Sequence, residues 1–101
     1  MDRSFSFDAE LWLSNAEGSW VFLTVPEGIS DEIEDGVPAK GGFGSVKVEV
    51  AIGGTTWTTS LFPDNKAGAY ILPVKKAVRT AESVDVGDTV GVSLRPVAIG
   101  Q

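Results

Sequence analysis

The sequence contains no cysteine and no histidine. Without cysteine there is no disulfide framework, thiolate nucleophile or Cys/His zinc site, and without histidine there is no Ser-His-Asp triad, imidazole general base or imidazole pH switch. Catalysis, if any, would fall to carboxylate, Lys, Arg or Tyr chemistry, and no catalytic residue stands out. No apolar run approaches the roughly 18 residues that a membrane helix needs, and the opening Met1-Asp2-Arg3-Ser4 does not have the basic-then-apolar layout of a secretory signal. A soluble cytoplasmic protein without membrane contact is therefore expected.

Basic residues are the minority. Eight Lys and Arg stand against 14 Asp and Glu, a net charge of −6, so polyanionic surfaces are repelled on average and nucleic acid is a disfavoured partner. The charges are nevertheless segregated. Glu27, Asp31, Glu32, Glu34 and Asp35 form an acidic stretch, whereas Lys66, Lys75, Lys76 and Arg79 follow one another with no acid after Asp64. With 101 residues, 43% of them hydrophobic, the chain suits one compact domain over residues 1–101.

The apolar pattern is mostly of period two. Phe5, Phe7, Ala9, Leu11 and Leu13 alternate with polar neighbours until Trp12 breaks the rhythm, as in a half-buried strand. After turn chemistry at residues 15–18, residues 20–25 are a continuous apolar run that predicts a more buried strand and a hairpin with the first. Pro26 ends it; Ser30, placed as a cap, and the closing Gly36 predict one short helix with its acids in the first turn. Residues 37–44 read as a loop. Val46, Val48, Val50 and Ile52 then alternate cleanly, Gly53-Gly54 predicts a tight hairpin, and residues 55–62 return as a strand before a turn at Pro63. Residues 69–72 read as a short strand, Pro73 as the opening of a helix with Val74, Ala77, Val78 and Ala81 on one face, and Val90, Val92 and Leu94 as the last strand.

This order predicts a mainly β fold: a small closed or double-split β-barrel of about six strands with two short helices, because closure hides strand edges. An internal pseudo-two-fold duplication is also suggested, since both halves run strand, Pro, helix, Gly, strand, with Pro26 matched to Pro73 and Val46-Lys47-Val48 to Val90-Gly91-Val92.

Taken together, residues 20–26, 44–48, 53–57, 60–63, 70–79 and 86–90 resemble the bacterial family known as domain of unknown function 1905. That resemblance implies a small β-barrel and carries no established activity. More locally, residues 70–94, with Ile71-Leu72-Pro73, a helix bearing Lys and Arg, and Val86-Gly87-Asp88-Thr89-Val90, are similar to the swapped-hairpin unit of AbrB/MazE-type DNA-binding regulators and antitoxins. Where the second half has Lys75, Lys76 and Arg79, the first has acids, so only half of such a DNA-reading surface is present.

Each candidate site has a plainer counterpart. Lys75, Lys76 and Arg79, near a predicted helix N-terminus, would bind an anion, a phosphate or an acidic partner; the plainer expectation is solvated side chains with Arg79 paired to Glu82. Trp12, Trp20, Trp57 and Tyr70 would form a stacking surface if exposed together, but core packing is the stronger expectation for all except Trp12. Residues 40–45 only loosely resemble a phosphate loop. The acidic stretch lacks Ca²⁺-loop spacing and reads as a solvated face, and Asp88 reads as a turn residue that binds backbone amides. No cofactor and no metal site is expected. The sequence favours a binding or interaction module for an anionic small molecule or a protein, ahead of a DNA-binding regulator or an enzyme.

Overall fold

The computed structural model describes residues 4–15, 19–37 and 44–97. Strands β1 (Phe5–Glu10), β2 (Trp12–Leu13) and β3 (Val21–Thr24) lead into helix α1 (Glu27–Gly36). Strands β4 (Val46–Ile52), β5 (Thr55–Asp64) and β6 (Ala69–Pro73) precede helix α2 (Lys76–Glu82), and β7 (Thr89–Pro96) completes the fold. The strands form one sheet in the order β1-β7-β4-β5-β6-β3-β2, with every pairing antiparallel.

The two ends of that sheet belong to one bent segment. β1 pairs with β7 and β2 pairs with β3, and Leu11 between them is fully buried and bonds across to the β7 side: its N–H donates to the Asp88 carbonyl and its carbonyl accepts the Gly87 N–H, both at 2.9 Å. The sheet thus curls into a nearly closed barrel, which removes the open edges that short strands would otherwise present. The alternating residues of each strand fill the interior: Val46, Val48, Val50 and Ile52 from β4, Val90, Val92 and Leu94 from β7, Val21 and Leu23 from β3, and Tyr70 and Leu72 from β6. Ile33 of α1 and Val78 of α2 join the same cluster. Ala77 and Ala81, expected beside Val78 on the buried face, are exposed.

The hydrogen-bonded pattern maps onto itself under a two-fold. β3 pairs with β6 and β4 with β7, while β1 against β7 has its counterpart in β5 against β4, and β2 against β3 in β5 against β6. On β4 and β7 the pair Val48 and Pro96 is matched by Ile52 and Val92. Near β3 and β6, Val25 N–H donates to the Tyr70 carbonyl and Val74 N–H to the Val21 carbonyl, both at 2.9 Å. This reciprocity matches Leu23 with Leu72 and Pro26 with Lys75, two residues away from the Pro-to-Pro match that the sequence suggests. The same offset joins the first helical residues, Glu27 and Lys76.

The boundaries predicted at Pro63 and Pro73 move for one reason: a proline that is tolerated by the ladder does not end it. Pro63 pairs with Tyr70 and β5 continues to Asp64; Pro73 pairs with Phe22 as the last residue of β6, and α2 starts only at Lys76. α1 starts at Glu27, directly after Pro26, so Ser30 lies within the helix and is buried there. The hairpin at Gly53-Gly54 forms as predicted, with Gly53 at φ +58°, a left-handed conformation that glycine adopts without strain.

Candidate functional site

The basic segment begins where β6 runs out. Lys75 is the extended N-cap of α2, and Lys75 and Lys76 are both exposed. With seven residues, α2 has little dipole of its own, so side-chain charge defines this region. Arg79 is held in place: its Nε donates to the Val74 carbonyl at 3.1 Å and its Nη1 to Asp85 Oδ1 at 3.2 Å. The expected Arg79–Glu82 pair does not form, because Glu82 reaches the β4–β5 hairpin instead, where its Oε2 accepts the Thr55 hydroxyl at 2.5 Å.

Asp85 sits in a small network. Its carboxylate also accepts the Val86 N–H at 2.8 Å, while its own N–H donates to Asp88 Oδ2 at 2.8 Å, the amide-binding turn role expected of Asp88. The Val86 amide foremost, and then the Arg79 and Lys76 charges, hold the Asp85 carboxyl below its usual range. Lys76, Arg79, Thr80, Ser83, Asp85 and Asp88 line an open depression. Lys75 is not part of that lining: it follows Val74, whose N–H bonds the Val21 carbonyl, so Lys75 and Trp20 each lie one residue beyond that bonded pair.

Trp20 departs from the expectation of core packing. It precedes β3, is 56% exposed, and its ring stacks on that of Phe22 with centroids 6.5 Å apart and planes at 23°. Its carbonyl accepts the Ser14 N–H at 2.7 Å, which fixes the backbone behind the ring. Trp12, the cross-strand partner of Phe22, has its ring centroid 5.3 Å from that of Phe22, and its Nε1 donates to Thr24 Oγ1 at 2.9 Å. Trp57 packs against the core and Tyr70 is buried, as expected. The aromatic groups are therefore divided: Trp57 and Tyr70 serve the barrel, and Trp12, Phe22 and Trp20 line its outside.

The acidic stretch behaves as a solvated helix face in part. Asp31, Glu32, Glu34 and Asp35 are exposed, but Glu34 Oε1 accepts the Tyr70 hydroxyl at 2.5 Å. Burial, followed by that hydrogen bond and the Glu34 charge, pushes the Tyr70 phenol well above its ordinary value. Among the described residues no group of three or more His, Cys, Asp and Glu could hold a metal ion. No helix among them is long and apolar enough to cross a membrane. Most of the glycine-rich candidate at 40–45 lies outside the described residues; Gly44 and Ser45 lead into β4.

From Phe7 in β1 to Leu94 in β7 the chain follows one known pattern: the family model described as "Domain of unknown function (DUF1905)" matches residues 7–94. The chain belongs to the DUF1905 family. No curated protein matches the sequence. The DUF1905 match includes Trp20, Lys75, Lys76 and Arg79, and the family carries no activity to assign to them.

Sequence reasoning missed two things about this DUF1905 site. It placed Trp20 in the core because the run from Trp20 to Val25 reads as one strand, and it grouped Lys75 with Arg79 because they are near in sequence. The usable signal was strand alternation: with Val21 and Val74 both inward, Trp20 and Lys75 both point away from the core.

Proposed function

We propose that this DUF1905 chain is a binding module that takes an anionic small molecule or an acidic group of a protein partner on the rim formed by Lys75 and Lys76, with Arg79 positioning α2. The observation that carries this reading is the exposure of both lysines just past β6, at the end of the β3–β6 pair where the exposed Trp20 precedes β3, on a chain whose net charge is −6. Two adjacent cations retained on an acidic surface create a local attraction that the average field opposes. Arg79 is engaged by Val74 and Asp85, so its contribution is to hold the helix that carries the lysines.

Two-fold DNA recognition has less support. The two-fold match places Pro26 and Glu27 where the second half has Lys75 and Lys76, so a duplex would meet a cationic rim on one half only. A bacterial, cytoplasmic setting is part of this reading.

The test is titration calorimetry with inorganic pyrophosphate on the wild-type chain and on a Lys75→Ala/Lys76→Ala variant. Binding by the wild type that weakens at least tenfold in the variant, at unchanged melting temperature, supports the rim. Equal binding by both, or none by the wild type, removes it.

A further inference from the structure

Trp20 adds a second kind of chemistry to the cationic rim. Its ring runs nearly parallel to that of Phe22 with centroids 6.5 Å apart, and more than half of the residue is exposed. An exposed indole on a fixed backbone is not explained by packing, because its barrel position contributes nothing to the interior cluster. Its carbonyl is tied to Ser14 and its neighbour Val21 to Val74, so the ring is presented from a hydrogen-bonded support. Val74 N–H bonds the Val21 carbonyl, and Trp20 and Lys75 are the next residues beyond that bonded pair at the same end of β3 and β6; Lys76 follows Lys75.

We infer that the rim binds a ligand in which a planar ring is joined to a phosphate, with the ring stacked on the exposed Trp20 indole and the phosphate held by Lys75 and Lys76. This rests on the anion-binding reading above and names its ligand class. A planar π-system is the group that an open indole recognises, whereas an anion alone would leave Trp20 in water. A mononucleotide has both parts in one small molecule. A long single strand fits less well: this rim offers one such ring and two lysines, and a chain of charge −6 repels an extended polyanion.

The experiment compares ADP, adenosine and pyrophosphate by calorimetry on the wild type, on Trp20→Ala and on Lys75→Ala/Lys76→Ala. Stacking on one aromatic side chain corresponds to about tenfold or more in affinity, so ADP should bind about tenfold tighter than pyrophosphate, and Trp20→Ala should erase that difference while leaving pyrophosphate binding unchanged. The lysine variant should weaken both phosphates and leave adenosine unaffected. If pyrophosphate binds and ADP binds no tighter, or if Trp20→Ala leaves the ADP advantage intact, the ring contact is wrong and the anion rim stands. If neither phosphate binds, the rim itself is wrong. A thymidine oligonucleotide that binds tighter than ADP through the same residues would overturn the small-ligand assignment.

Discussion

Ser30 and Arg79 occupy matching places in the two halves of the barrel, and each bonds the carbonyl of the residue just before its helix N-cap. Ser30 Oγ donates to the Val25 carbonyl at 3.2 Å, and Arg79 Nε donates to the Val74 carbonyl at 3.1 Å. Both carbonyls belong to the point where β3 and β6 part company. In the first half the hydroxyl also accepts the Tyr70 N–H at 3.0 Å, so Ser30 is inserted between a donor and an acceptor that a continuous ladder would have joined directly. One barrel thus closes the same gap with a hydroxyl on one side and a guanidinium on the other.

Replacing Ser30 by Ala should therefore be expensive for so small a change. Ser30 is 4% exposed, and its removal leaves the Tyr70 N–H and the Val25 carbonyl without that partner, a loss of about 1–3 kcal/mol. Urea unfolding should show a lower midpoint at an unchanged slope. A shift equivalent to less than about 0.5 kcal/mol, the usual range for a surface change, would mean that the hydroxyl bridge is dispensable.

Tyr70 is the only tyrosine, so phenolate absorbance reports it without interference. Burial and the Glu34 carboxylate disfavour the phenolate in the folded chain, and the native protein should ionise only well above the value of about 10 seen in the unfolded chain. Because the folded pKa is the higher one, the native state keeps a proton that the unfolded state releases. That contribution to stability is complete below about pH 10 and is lost as pH rises through the folded value. An alkaline titration of native protein with a midpoint near 10 would contradict the pairing of buried Tyr70 with Glu34.

The same region shows how far the sequence could be read. The alternation of Val46, Val48, Val50 and Ile52 and of Val90, Val92 and Leu94 is a property of single strands, and each of these residues faces the interior as the period-two pattern implies. The hairpin at Gly53-Gly54 and the turn at Asp88 are local as well, and both were legible. Pro63, Pro73, Ser30 and Trp20 were not, because their roles depend on a partner strand. Ser30 reads as a cap until Tyr70, forty residues away, is seen to donate to it. Trp20 reads as core until the pairing of β3 with β6 sets which side of the barrel it occupies.

Gly53 and Gly54 should respond very differently to a methyl group. At Gly53, φ is +58° and a Cβ would collide with the Glu82 carboxylate, the group that also accepts the Thr55 hydroxyl. At Gly54 a Cβ meets nothing. Gly53→Ala should cost about 1–2 kcal/mol from the left-handed backbone alone, with more from displacement of Glu82, whereas Gly54→Ala should stay within about 0.5 kcal/mol. Thermal unfolding of the two variants side by side checks this, and equal losses would show that the hairpin does not hold the Glu82 contact in solution.

Leu23 and Leu72 pair directly across the two-fold, and both are fully buried. Either one changed to Ala should remove about 2–5 kcal/mol, the range for deleting a buried leucine side chain where the surroundings relax only in part. Because the two side chains share one neighbourhood, the second deletion falls into space that the first has already opened. Facing residues in contact couple by about 0.5–3 kcal/mol, so the double variant should lose less than the sum of the single losses. Leu72→Ala combined with Val92→Ala, whose partners on the sheet are Phe7 and Ile52, serves as the comparison and should come closer to additivity. If the Leu23/Leu72 cycle is the more additive of the two, the halves do not pack on each other through this pair, and the two-fold describes the backbone pairing without describing how the core is shared.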